Sequence, residues 1–71
     1  MDVKSEIYAI VWKIEVSEGQ DVAADDVLMI LESMKMEVPV VAPAAGRVRS
    51  LAVAEGASVD EDDLLVVLDA S

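Results

Sequence analysis

The chain has 71 residues, enough for one domain with a core only just large enough to sustain a fold. It has no Cys and no His, which excludes disulfides, thiolate metal sites, the usual general base and the commonest transition-metal ligand. With 15 Asp and Glu against 5 Lys and Arg, net −10, its charge has the wrong sign for nucleic acid or for an anionic membrane.

The acid surplus is expected to keep a single domain, residues 1–71, soluble and monomeric, or else to steer it onto basic partners; composition does not separate the two. No window approaches the roughly 18 apolar residues of a membrane span. The start, Met1-Asp2-Val3-Lys4, is not a signal peptide, so a cytoplasmic protein is expected. The apolar residues are mostly Val, Leu, Ile and Ala, with Trp12 and Tyr8 as the aromatics, a composition that suits packed strands.

In chain order, residues 11–16 read as a strand, with apolar residues at Val11, Ile14 and Val16. The step of three breaks strict alternation and predicts a bulge. Glu18-Gly19 ends the strand in a turn at which glycine takes positive φ. Val22 points back to the core, Asp25-Asp26 makes a second turn, and 27–31 is a five-residue apolar strand. The stretch between Val22 and Asp26 is too short and too acidic for more than one helical turn. Glu32-Ser33-Met34-Lys35-Met36-Glu37 follows. Pro39 implies an edge strand or a bulge, and Pro43-Ala44-Ala45-Gly46 a turn. Then the pattern recurs: a strand over 48–53, Glu55-Gly56, Val59, Asp62-Asp63 and a strand over 64–68.

The recurrence is an internal repeat. Shifted by 37, Val11 falls on Val48, Val16 on Val53, Glu18 on Glu55, Gly19 on Gly56 and Val22 on Val59. Asp25 falls on Asp62, Asp26 on Asp63, Leu28 on Leu65 and Leu31 on Leu68. The expected fold is all-β: about eight short strands in two four-stranded antiparallel sheets, a flattened barrel with pseudo-twofold symmetry. The counterpart of Lys35 lies just past Ser71, so the lysine turn and the termini should lie at opposite ends.

A lone lysine between two copies is a display position. Lys has a flexible stem and a compact ammonium, and an activated acid can acylate it once it sheds its proton. An ordinary turn lysine is the plain alternative. Met34 and Met36 flank Lys35 and cannot all point inward from one hairpin, so some apolar surface should be exposed there. The acidic runs Asp25-Asp26 and Asp60-Glu61-Asp62-Asp63 lack the spacing of a calcium loop and read as turn chemistry, so no metal site is expected. No nucleophile-base pair is evident, so no catalytic residues are assigned.

Ser33-Met34-Lys35-Met36 resembles the attachment motif of biotin carboxyl carrier domains, Ala or Ser-Met-Lys-Met. Pro43-Ala44-Ala45-Gly46-Arg47-Val48 and Val53-x-Glu55-Gly56-x-x-Val59 are similar to the elements that follow it, and the likeness extends from about Val3 to Leu68. The resemblance implies a barrel-sandwich hybrid with biotin amide-linked to Lys35 by a biotin protein ligase. It implies a non-catalytic swinging arm that carries carboxylate from a biotin carboxylase to a carboxyltransferase, as in carboxylases, some decarboxylases and fatty acid biosynthesis. It further implies that Met34 and Met36 are read by the ligase, with Glu32, Ser33 and Glu37 beside them.

The chain departs from that pattern in two ways. Glu6-Ile7-Tyr8-Ala9 stands where the first copy would match Pro43 to Gly46. Between Val16 and Val27 there is no room for the protruding loop that contacts biotin in some relatives. No Ala-Pro-rich linker precedes the domain, which fits a free-standing carrier or a piece of a longer chain. Two alternatives stay open: a lipoyl carrier of a 2-oxo acid dehydrogenase-type complex, whose lysine typically stands in Asp-Lys-Ala, and an unmodified interaction module.

Overall fold

Short runs of branched aliphatic residues bury their apolar faces here by stacking two sheets on one core. The structure is a computed structural model that describes residues 1–70. In chain order the strands are β1 (Asp2–Lys4), β2 (Ala9–Ile14), β3 (Asp21–Val22), β4 (Val27–Ser33), β5 (Met36–Val41), β6 (Gly46–Leu51), β7 (Ser58–Val59) and β8 (Leu64–Ala70). One sheet has the order β1-β8-β6-β3 and the other β5-β4-β2-β7, with every pair antiparallel. No helix occurs among the described residues, so even a single helical turn is absent.

The repeat is visible in this topology. A shift of 37 converts β1-β8-β6-β3 into β5-β4-β2-β7, so each sheet draws two strands from each half of the chain. The predicted bulge falls between Val11 and Lys13, and its counterpart between Val48 and Ser50. Leu28, Met29 and Leu31 of β4 meet Leu65, Val66 and Leu68 of β8 in the core, with Val11, Val48, Val22 and Val59. Each such side chain contributes about 1.5–3 kcal/mol on burial, before the cost of ordering the chain.

The repeated polar residues bond across the symmetry axis. Gly19 and Gly56 have φ of 88° and 90°, with open space where a Cβ would stand, so conformation and not crowding calls for glycine. Their amides donate to Val48 O and Val11 O, both at 2.7 Å, tying each turn to the other half. The adjoining glutamates do likewise. Glu18 Oε2 accepts from the amide of Leu51 at 3.1 Å, and Glu55 Oε2 from the amide of Ile14 at 2.9 Å. In the aspartate pairs the first member, Asp25 or Asp62, takes φ near 70°. The second accepts an amide three residues back: Asp26 from Ala23 at 2.9 Å and Asp63 from Asp60 at 2.8 Å.

Four strands differ from the sequence expectation: β4 and β8 run past 27–31 and 64–68 to Ser33 and Ala70, and the two strands that open the copies are shifted. Instead of 11–16 and 48–53, they are Ala9–Ile14 and Gly46–Leu51, both displaced toward the N-terminus. They start earlier because Ala9 and Ile10 pair with Val59 and Ser58, and Gly46 and Arg47 with Val22 and Asp21. They stop earlier because the Ile14 and Leu51 amides turn to glutamate carboxylates. Gly46 is thus a strand residue and not only part of a turn. A Cβ there would run into the backbone carbonyl of Asp69.

Pro39 lies on β5, an edge strand, where its missing N–H costs no ladder bond. β4 runs out to Ser33, and β5 returns from Met36 to Val41. Ala42 then bonds Asp26 O, and Gly46 pairs with Ala70. The Met1 ammonium donates to Leu68 O at 2.7 Å. Both ends of the described chain therefore lie at the pole opposite residues 34 and 35, along the long axis of a 34 × 17 × 17 Å body.

Candidate functional site

The β4–β5 hairpin ends at the pair Ser33 and Met36, which leaves Met34 and Lys35 as a two-residue loop. Their φ values are 52° and 65°. Positive φ at both positions is the signature of a type I′ turn, whose twist matches that of the flanking strands. Asn-Gly is the usual choice there. Met and Lys carry a Cβ into the left-handed region at a cost of roughly 1 kcal/mol each. Strain of this kind concentrates at functional sites.

The turn holds its side chains out of the barrel. Lys35 is exposed, Met34 is 92% exposed and Met36 67%. The ion pairs among the described residues are Lys13 with Glu15 at 3.5 Å, Arg47 with Asp21 at 3.1 Å and Arg49 with Asp69 at 3.7 Å. Lys35 belongs to none of them, so its amine is not tied to a carboxylate. Below the tip Glu32 and Glu37 face each other across the strands, a like-charge pair that works against the hairpin. Ser33 Oγ donates to the carbonyl of Tyr8 at 3.1 Å and fastens the hairpin to the segment before β2.

All six residues singled out in the sequence, Glu32 to Glu37, therefore share one hairpin tip. Sequence reasoning missed Tyr8. It is 25 residues from Ser33 and 65% exposed, and it lines a shallow depression with Ala9, Ile10, Glu32, Ser33 and Met34. The available signal was a large aromatic in the segment where the first copy departs from the second. Chemically, the arrangement offers a free primary amine on a four-carbon stem whose root is fixed by a tight turn. Such an amine is chemically open to acylation by an activated acid.

The comparisons with known proteins agree with this geometry. The family model described as "Biotin-requiring enzyme" matches residues 2–68. The chain is 51% identical over 53 residues to the "Biotinylated protein TB7.3 homolog" of Mycobacterium leprae (strain TN), covering 75% of each. It superposes on part of a solved single-chain, multi-domain long-chain acyl-CoA carboxylase with a TM-score of 0.95 and 30% identity. That match covers 100% of this chain but only 7% of the carboxylase. The lipoyl domain of the 2-oxoglutarate dehydrogenase complex from Azotobacter vinelandii, at TM-score 0.83 and 24% identity over 97% of this chain and 95% of that one, shares the fold. The chain belongs to the biotin/lipoyl attachment domain family and is similar to the biotinyl domains of carboxylases.

Proposed function

We propose that Lys35 is the attachment site for biotin and that the chain is a biotin carboxyl carrier, a non-catalytic partner of a biotin-dependent carboxylase. The observation that carries this reading is an unpaired, exposed lysine held in a strained two-residue turn between two exposed methionines. Lys35 fits covalent attachment because its amine is accessible and its stem rises from a fixed root. Attached biotin supplies a ureido nitrogen that takes up and releases carboxylate. The β4–β5 hairpin fixes the origin of the arm, the lysine stem gives it reach, and tethering raises its effective concentration at successive partner sites.

Met34 and Met36 are the surface that a biotin protein ligase reads, since exposed thioethers have no packing role at the tip. Glu32 and Glu37 give that surface a negative collar, and Ser33 braces it through Tyr8. The partners of the loaded arm are a biotin carboxylase and a carboxyltransferase. The same fold serves lipoyl domains, so the choice of cargo rests on Met34 and Met36 and not on architecture.

The test is Lys35→Arg, expressed with an active biotin protein ligase. The guanidinium stays protonated and cannot be acylated in this way. The variant should fold like the parent by circular dichroism and give no streptavidin signal. A streptavidin-reactive variant would remove Lys35 from the role.

A further inference from the structure

The repeat supplies a comparison for the residues around the tip, because a shift of 37 carries each to the same backbone setting at the other pole. Tyr8, Ala9 and Ile10 fall on Ala45, Gly46 and Arg47, and Glu32 falls on Asp69. Ile10 faces Glu32 across the strands as Arg47 faces Asp69. The fold therefore accepts alanine and arginine where the tip has an exposed tyrosine and an exposed isoleucine. Neither side chain belongs to the core. With Ala9, Glu32, Ser33 and Met34 they line a depression of about 240 Å³. The Ser33 hydroxyl donates to the Tyr8 carbonyl and so holds its two walls together. Lys35 follows Met34 directly, so the depression opens beside the root of the lysine stem.

We infer that this depression is a resting site for the head of the biotin carried on Lys35. The inference rests on the reading of Lys35 given above. The head is a small pair of fused rings, uncharged, with ureido N–H donors and a carbonyl acceptor. Tyr8, Ile10 and Met34 offer aromatic and apolar surface to the rings. The Glu32 carboxylate only accepts, so it suits a ligand with N–H groups to donate. Glu32 belongs to none of the ion pairs among the described residues. A dithiolane head has no N–H to give it, and an anion would meet Glu32 and Glu37 together. Pockets that take a whole drug-sized ligand run to about 300–1,000 Å³. This one is smaller and shallow, so it holds a head alone, and weakly. Weak binding suffices, because a short flexible tether supplies an effective concentration on the order of 1 mM. Consecutive Cα atoms lie about 3.8 Å apart, so the arm has chain to spare in folding back from residue 35 to the wall at Met34. The ligase has left once the amide exists, so Glu32 and Met34 serve loading first and resting afterwards.

The test is NMR of the ¹⁵N,¹³C-labelled chain with and without biotin on Lys35, with intact mass checking the loading. The inference expects nuclear Overhauser contacts from the biotin ring protons to the Tyr8 ring and the Ile10 methyls. Loading should also shift the amides of Tyr8, Ala9, Ile10 and Glu32, while those of Ala45, Gly46, Arg47 and Asp69 stay in place. Tyr8→Ala with Ile10→Arg installs the residues that the other pole already carries, so the fold should survive. The contacts should vanish in that variant. A site with a Kd near the effective concentration holds the head about half the time, so streptavidin should capture the loaded variant about twofold faster than the loaded parent. Ala45→Tyr with Arg47→Ile, made at the other pole, should change neither readout. Shifts confined to residues 33–37 with no contact to Tyr8 or Ile10 would overturn the inference, and so would contacts and a capture rate that the first variant leaves unchanged. A chain that takes up no biotin at Lys35 would remove the reading of Lys35 and the inference with it. Intact mass shows that failure before any spectrum is recorded, so the two are told apart.

Discussion

Met34 bears a conformational cost that its own packing does not offset. It sits at φ 52° with nearly all of its side chain in solvent, so it gains little from packing and bears the cost of the left-handed region. Asn is far better suited to the first central position of a type I′ turn. Met34→Asn should therefore raise stability by roughly 0.5–1 kcal/mol in urea unfolding. On the proposed ligase contact, the same change should also lower kcat/KM for ligase-catalysed biotinylation. A less stable variant would refute the strain argument. A more stable variant labelled at the parental rate would show that Met34 is not read. The motif residues were legible in the sequence because they are contiguous. Tyr8 was not, because only the fold brings its carbonyl to Ser33.

At the scale of elements, the glutamate-glycine turns explain why the two halves keep the same residues. Each carboxylate accepts the amide at which a strand of the other half leaves its ladder. An amide deprived of that partner loses a charge-assisted bond worth about 1 kcal/mol net at a partly solvated site. Glu18→Ala and Glu55→Ala should each cost about that much, and the double variant close to the sum, since the two bonds share no partner. Thermal or urea unfolding of the three variants checks this. The repeat made the existence of eight strands, the bulges and the glycine φ values readable in advance. Strand boundaries were less so. Pairing of Ala9 and Ile10 with residues near 58, and of Gly46 with Ala70, is set by partners far along the chain. Such pairing leaves only a faint local trace.

At the scale of the whole molecule, the interleaving of the halves is decisive. Neither sheet can be completed from one half, because each takes two strands from residues before the lysine turn and two from after it. A chain cut to residues 1–37 would expose Val11, Leu28 and Leu31 with no facing β8 to cover them. It should be unfolded by circular dichroism and by amide dispersion in NMR, and a folded monomer would contradict the topology. The same interleaving sets the lysine turn at one pole and the ends of the described chain at the other, so the tip is unobstructed by them.

What is joined to Lys35 decides between a biotin carrier and its alternatives, and site-resolved mass spectrometry reads it. The chain would be expressed with both a biotin protein ligase and a lipoyl ligase active, then digested and mapped at Lys4, Lys13 and Lys35. The prediction is a biotinyl amide on Lys35, with Lys4 and Lys13 unmodified. A lipoyl group on Lys35, biotin on another lysine, or no modification at all would contradict it.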